Sequence, residues 1–253
     1  CGGRGKRLRP LTDTIPKPMV EVEGRPFLEL LLSQLAEQGF VRFVLMTGYF
    51  GEQIHTYFGS GSRWGWDIRY SHGPSDWKTG RRIFEAAGLL DETFVLLYSD
   101  NYAPFNLSAL VNRHLETGRS LTVTLKEKSG GNVRYSRQTD IVAYDSTRST
   151  LGLGHVEIGY MLIGREATLR ILKEVDGYPD VAFSDVLRAA AAVGELGGLE
   201  TDGAYYSASD PTRLKLTRDY FSTKKILLID RDGTISRQLE RGQYVATWEQ
   251  FEF

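Results

Sequence analysis

The sequence predicts a layered α/β fold, and three observations carry that prediction: short runs of continuous apolarity, helical segments between them, and turn residues where each segment should stop. The apolar runs are Arg42-Phe-Val-Leu-Met46, Thr93-Phe-Val-Leu-Leu-Tyr98, Leu121-Thr-Val-Thr-Leu125 and Lys225-Ile-Leu-Leu-Ile229. Continuous rather than alternating apolarity is what a strand covered on both faces requires, and it points to a mostly parallel sheet. Phe27 to Gln38 follows Pro26, a good first-turn residue, and ends at Gly39, a good helix stop. Leu107 to Leu115 and Ser184 to Ala192 read the same way, the alanines at 189–192 favouring helix. Strand–helix alternation of this kind builds helices against the faces of a sheet. From about Asp140 to Gly164 the pattern changes to short strands with turn residues between them, which predicts a small antiparallel lobe. The polar stretch Ser222-Thr-Lys-Lys225 marks a domain boundary, giving units at 1–221 and 222–253.

The 253 residues can bury a substantial core, and 41% apolar with 25% charged residues is ordinary for a soluble globular protein. A net charge of -1 provides no bulk field for nucleic acid or an acidic membrane, so neither is expected as a partner. Apolar stretches such as Phe94 to Tyr98 are far short of a membrane span, and no signal-peptide pattern is present. The only cysteine, Cys1, excludes an internal disulfide and fits a reducing cytoplasm. The first residue is not Met, and the chain reads as starting inside a longer product.

Charge is concentrated at the start, where Arg4, Lys6, Arg7, Arg9 and Lys17 face a single acid, Asp13. Glycines and prolines interleave these cations in order. Gly2, Gly3 and Gly5 let backbone N–H groups approach a ligand closely. Arg7 offers a planar fork that fits phosphate oxygens, and Lys17 a compact charge held between Pro16 and Pro18. The segment is a phosphate-loop candidate, though not a Walker loop, because GxxxxGK[ST] is absent. Further on, the apolar run ending at Tyr98 delivers Asp100 near the carboxyl end of a strand, where α/β sheets place their ligands. A hard carboxylate there suits Mg2+, which takes one or two such groups plus substrate phosphates.

The string from Cys1 to Met19 resembles the signature GGxGxRLxPLTxxxPKPM of the sugar nucleotidyltransferases, meeting every specified position. The resemblance implies a Rossmann-like, glycosyltransferase-A-like three-layer sandwich and a Mg2+-dependent reaction. In it, a nucleoside triphosphate and a sugar 1-phosphate give an NDP-sugar and pyrophosphate. It also implies roles: Arg7 on the departing pyrophosphate, Lys17 on the α-phosphate or sugar phosphate, and Asp100 on the metal. Trp77-Lys-Thr-Gly-Arg-Arg-Ile83 stands where the family commonly has LGTGGA, so Thr79 and Gly80 would line the nucleobase pocket. Lys78, Arg81 and Arg82 depart from that pattern and read as surface charges. The family's strand ahead of the glycines is absent, Ser99 replaces a Gly before Asp100, and Ser207 stands where a second metal Asp is usual.

Tyr144-Asp145 with Arg148, His155-Val-Glu-Ile-Gly-Tyr160 and Tyr205-Tyr-Ser207 resemble one subgroup, heptose 1-phosphate guanylyltransferases fused to a haloacid dehalogenase-like phosphatase. That resemblance implies GTP and D-glycero-D-manno-heptose 1-phosphate as substrates, for GDP-heptose and cell-surface polysaccharide, with Asp145, Arg148 and Glu157 around the sugar phosphate. Glucose 1-phosphate and mannose 1-phosphate remain the competing sugars, and oligomeric state stays open. The end of the chain, Ile226-Leu-Leu-Ile-Asp-Arg-Asp-Gly-Thr-Ile235, carries DxDGT, in which Asp230 would be nucleophile and Asp232 general acid/base. So little of that phosphatase follows that it is expected to be inactive. Three other classes stay in view: a nucleotide-sugar-binding regulatory module, for which Ser207 argues; a phosphatase; and an RNA-binding basic arm.

Overall fold

A computed structural model describes residues 1–222. After three short 3-10 turns, a hairpin of β1 (Glu21–Val22) and β2 (Arg25–Pro26) turns through Glu23 and Gly24, both at positive φ. Helix α1 (Phe27–Ala36) follows Pro26 and buries Phe27, Leu28, Leu31, Leu32 and Leu35. Gly39, at φ 91, lets the chain leave the helix end. Strand β3 (Arg42–Thr47), helix α2 (Gly51–Phe58), strand β4 (Asp67–His72) and helix α3 (Thr79–Ala86) come next. Then follow β5 (Thr93–Leu97), β6 (Asn101–Tyr102), α4 (Leu107–Thr117), β7 (Leu121–Glu127), β8 (Val133–Ser136) and β9 (Asp140–Tyr144). The described part closes with β10 (His155–Gly164), α5 (Arg165–Glu174), α6 (Phe183–Ala192), β11 (Leu196–Glu200), β12 (Tyr206–Ser207) and α7 (Pro211–Ser222).

The expected α/β sandwich is present. Strand β10 is antiparallel to both β5 and β7, so those two run the same way, and β11 joins β7 in parallel. Strands β3 and β4 form a separate parallel pair. Thus most strands of the larger sheet are co-directional, with β10 and the lobe strand β9 as the reversed members. Its side chains show the layering: Ile158, Tyr160 and Leu162 enter one core with α1, α2 and α4, while Met161 and Ile163 enter the other with α3, α5 and α6. Helices therefore cover both faces, as continuous apolar strands require.

The antiparallel lobe is the β8–β9 hairpin, which starts at Val133, earlier than the composition change at Asp140 suggested. Strand β10 belongs to both regions. Its first residue pairs with β8, and from Tyr160 onward it pairs with β5 on that same side, with β7 opposite on either side of a bulge. Between Glu157 and Met161 the register with β7 shifts, and Gly159 takes φ 91. A β-carbon there would fall 2.9 Å from the Asn101 amide nitrogen and 3.0 Å from the Tyr98 ring. This bulge re-aims Glu157.

Among the described strands β3 pairs only with β4, and β5 only with β10. A cavity of about 410 Å3 lies between them, lined by apolar side chains that include Leu31, Leu35, Leu45 and Leu96. Lys225–Ile229, Asp230, Asp232 and the unit assigned to 222–253 fall outside the described residues, apart from Ser222 itself.

Candidate active site

The glycine loop is shaped by its own short contacts. Gly5 sits in the left-handed region at φ 60, and its carbonyl accepts the Thr12 hydroxyl and the Leu8 N–H, both at 2.9 Å. Leu8 is 1% exposed and pins the loop to the core beneath it. A β-carbon at Gly5 would come within 3.0 Å of both Lys17 and Thr12, so the position needs glycine for space as well as for φ. Lys17 lies in a 3-10 turn closed by the Met19 N–H on the Pro16 carbonyl at 2.8 Å. Its ammonium group pairs with the Asp100 carboxylate, and both side chains are largely shielded from solvent.

Asp100 follows β5 in a turn in which the Asn101 N–H meets the Tyr98 carbonyl at 3.2 Å. Its own carbonyl accepts the Ala208 N–H at 2.9 Å, and β6 pairs with β12, placing Ser207 opposite Asn101. The position expected for a second metal carboxylate is thus brought beside Asp100. Ser207 is 2% exposed there, and its hydroxyl is engaged with that of Ser209 at 2.7 Å.

A cavity of about 440 Å3 gathers most of the anticipated residues: Gly2, Gly3, Gly5 and Arg7 from the loop, with Lys17, Thr79 and Asp100. It opens near the carboxyl ends of β3 and β5, as the fold rule for α/β sheets expects. Arg7 is exposed at this site, near enough to Asp210 to help hold that carboxyl below its usual range, after the larger effect of the Arg213 N–H. Gly80 is the exception. Its N–H donates to the Val181 carbonyl at 2.9 Å, and a β-carbon would fall 2.7 Å from that oxygen. Gly80 thus seats helix α3 on the 181 segment, while Thr79 faces the cavity.

The sugar-phosphate assignment divides. Glu157 lies behind the cavity wall rather than on it, close to Asp100; burial pushes its carboxyl up to about 8, the Gly159 N–H opposes the rise, and the Asp100 charge adds to it. Asn132 accepts the Glu157 N–H at 2.9 Å and Asn101 donates to the Ile158 carbonyl at 3.1 Å, fixing the bulge. Burial first, then the Glu157 charge, also raises the neighbouring Tyr98 and Tyr144 phenols. Asp145 and Arg148 do not line the cavity. The Asp145 carboxylate is taken by the N–H and hydroxyl groups of Thr147, Ser149 and Thr150, which hold it far below the usual carboxylate range. Arg148, at φ 60, points a nitrogen to the Gly130 carbonyl at 3.4 Å. Both belong to an exposed turn.

Several lining residues were not assigned to the site from sequence, among them Trp77, Tyr98 and Ser209, and Arg82, which was read as a surface charge. Arg82 is a correction: it is 6% exposed, not a surface charge. No group of three or more His, Cys, Asp or Glu side chains forms a metal cluster among the described residues. One carboxylate in a cavity lined by Arg7 and Lys17 nonetheless fits Mg2+, which completes its shell with phosphate oxygens and water.

A glycine loop, fixed cations and a strand-end carboxylate around one cavity define a nucleotide-handling α/β protein. Residues 1–134 match the family described as Nucleotidyl transferase, and the chain belongs to that family. The D-glycero-alpha-D-manno-heptose 1-phosphate guanylyltransferase of Aneurinibacillus thermoaerophilus is 33% identical over 146 residues, covering 57% of this chain and 61% of the relative. The UTP–glucose-1-phosphate uridylyltransferase of Synechocystis sp. is 34% identical over 138 residues, or 50% of this chain and 36% of that one. The mannose-1-phosphate guanylyltransferase of Mycobacterium tuberculosis is 36% identical over 125 residues, or 49% and 35%. The matches therefore span between about a third and three fifths of these relatives. Among solved structures, a UDP-glucose pyrophosphorylase complexed with UDP-glucose has a TM-score of 0.76 at 17% identity, covering 88% of this chain and 97% of its own. HddC from Yersinia pseudotuberculosis complexed with GMP-PN has a TM-score of 0.70 at 18% identity, covering 87% and 96%. At these identities the structures show the shared fold.

Proposed function

We propose that the chain transfers a nucleoside monophosphate from a nucleoside triphosphate to a sugar 1-phosphate, with GTP and D-glycero-D-manno-heptose 1-phosphate as the substrate pair. The observation that carries the reading is the 440 Å3 cavity, lined by the glycine loop, Arg7 and the Lys17–Asp100 ion pair. The substrate pair rests on the likeness to the heptose 1-phosphate guanylyltransferase and on the subgroup residues 144–160.

A sugar-phosphate oxygen attacks the α-phosphorus in line, the bond from that phosphorus to the bridging oxygen of the β-phosphate breaks, and pyrophosphate leaves with the electron pair. Both partners are anions, each phosphomonoester carrying roughly -1.5 to -2 charges near neutral pH. Positioning and charge stabilisation are therefore what the protein must supply. Loop N–H groups and Arg7 hold the departing pyrophosphate. Lys17 stands between the α-phosphate and the sugar phosphate, drawn from its resting partner Asp100. Mg2+, held by Asp100 and phosphate oxygens, would supply Lewis-acid neutralisation. Glu157, held by the Gly159 N–H near Asp100, shapes the floor beneath the metal carboxylate.

Ser207 favours a second reading, a nucleotide-sugar-binding module that keeps the site with weakened chemistry. Mass spectrometry of products after incubation with Mg2+, each triphosphate and a panel of sugar 1-phosphates separates the two. An NDP-sugar supports the transferase; binding of nucleotide sugar without product supports the module.

A further inference from the structure

Arg82 has no part in the steps above, yet it is a buried charge wired to three backbone carbonyls on two segments. Its Nε donates to the Trp77 carbonyl at 3.2 Å, one terminal nitrogen to the Thr47 carbonyl at 2.8 Å, and the other to the Pro74 carbonyl at 2.5 Å. Those acceptors lie at the end of β3 and at two points of the loop between β4 and α3. Gly2 rests directly against the guanidinium: a β-carbon there would fall 2.2 Å from its central carbon. Gly48 closes from the other side, where a β-carbon would lie 2.8 Å from the Gly2 carbonyl oxygen and 2.9 Å from the Arg82 terminal nitrogen. The Tyr49 N–H donates to that same Gly2 oxygen at 3.1 Å. Arg82 also lines the cavity that holds Lys17 and Asp100.

This arrangement needs arginine. A planar fork with five N–H groups can meet three divergent carbonyls and still present a flat face to a glycine. Lysine is a point charge on a flexible stem and cannot span all three. Burying the charge also carries a desolvation cost, which pushes the guanidinium below its ordinary pKa and is offset here by three carbonyl acceptors.

We propose that Arg82 is the positioning residue of the nucleotide site, clamping Gly2 so that the loop N–H groups stand ready for the triphosphate before it arrives. The inference rests on the transferase reading and names what preforms its phosphate site. Displacing a phosphate cradle by about 1 Å can cost on the order of 100-fold, so an effect specific to the nucleotide is expected.

Two variants of the full chain test it, Arg82→Lys and Gly2→Ala. The second keeps the arginine and crowds its face, so it probes the same contact without emptying the buried site. Each is compared with the wild type by thermal midpoint, by calorimetric affinity for the triphosphate the wild type turns over fastest, and by kcat and both KM values. The expected result is a loss of nucleotide affinity of about 10-fold or more in both variants, with a matching rise in nucleotide KM and a sugar-phosphate KM within about twofold. Folded variants that bind the nucleotide as the wild type does overturn the proposal, as does a lower kcat at unchanged nucleotide KM. A folded wild type that binds no triphosphate and releases no pyrophosphate overturns the transferase reading and this inference with it.

Discussion

Lys17 and Asp100 form an ion pair across 83 residues of sequence, joining the glycine loop to the end of β5 in a largely shielded part of the cavity. The pair holds a cation and a carboxylate at one point before any ligand arrives. Asp100→Asn is expected to lose Mg2+-dependent turnover by at least about 100-fold, with Lys17→Met comparably impaired. Because the two act as a unit, the double variant should be little worse than either alone. A Mg2+ titration of pyrophosphate release checks this; an unchanged curve for Asp100→Asn removes Asp100 from the metal site.

Arg7 stands exposed at the cavity, with its fork free to swing onto a pyrophosphate. Arg7→Ala should slow turnover by roughly 100- to 1000-fold, by analogy with the loss of one charge-stabilising donor at an active site. Steady-state kinetics on the folded variant decide it, and wild-type turnover contradicts the assignment.

Gly5 is left-handed and crowded by Lys17 and Thr12. Gly5→Ala should destabilise by about 1–2 kcal/mol from the backbone alone. Movement of the Lys17 turn should lower kcat/KM by about 10-fold beyond that. Denaturant titration and kinetics measured together test both parts.

Glu157 gives a pH signature. Its ordinary value is 4.5, and in the folded protein it is pushed up to about 8. The folded state therefore binds the proton more tightly than the unfolded chain does. This group's contribution falls as pH rises from about 4.5 to 8, by on the order of 4 kcal/mol. Glu157→Gln should thus stabilise the metal-free protein at pH 8.5 and give almost no change at pH 4.5. Thermal midpoints without Mg2+ at the two values test this; a gain independent of pH contradicts it.

The Asp145 carboxylate is occupied within its own turn, so Asp145→Ala should leave kcat/KM within about threefold while slightly lowering the thermal midpoint. A large rise in the sugar-phosphate KM would return Asp145 to the site.

How much was legible follows from how local each signal is. That the glycine loop and Asp100 meet at one cavity could be read because the glycines, cations and prolines are consecutive and a continuous apolar strand leads to Asp100. Asp145 misled because it stood in a matching motif, although Thr147, Ser149 and Thr150 just after it are the signature of a self-capping turn. Arg82 was missed because its acceptors, such as Thr47, lie far away in sequence. A signal did exist, since Arg82 stands one helical turn before buried Ala86 and next to buried Ile83. Strand β10 was divided into pieces because Gly159 and its bulge interrupt the apolar run where the strand changes partners.

The most direct test of the central claim is pyrophosphate release by the folded protein with Mg2+, pairing GTP, ATP, CTP, UTP and dTTP with heptose, mannose and glucose 1-phosphates. Release that needs both substrates, and is fastest with GTP and heptose 1-phosphate, is the predicted result. A different productive pair would overturn the assigned substrates and keep the reaction, while no release from any pair would contradict the transferase itself.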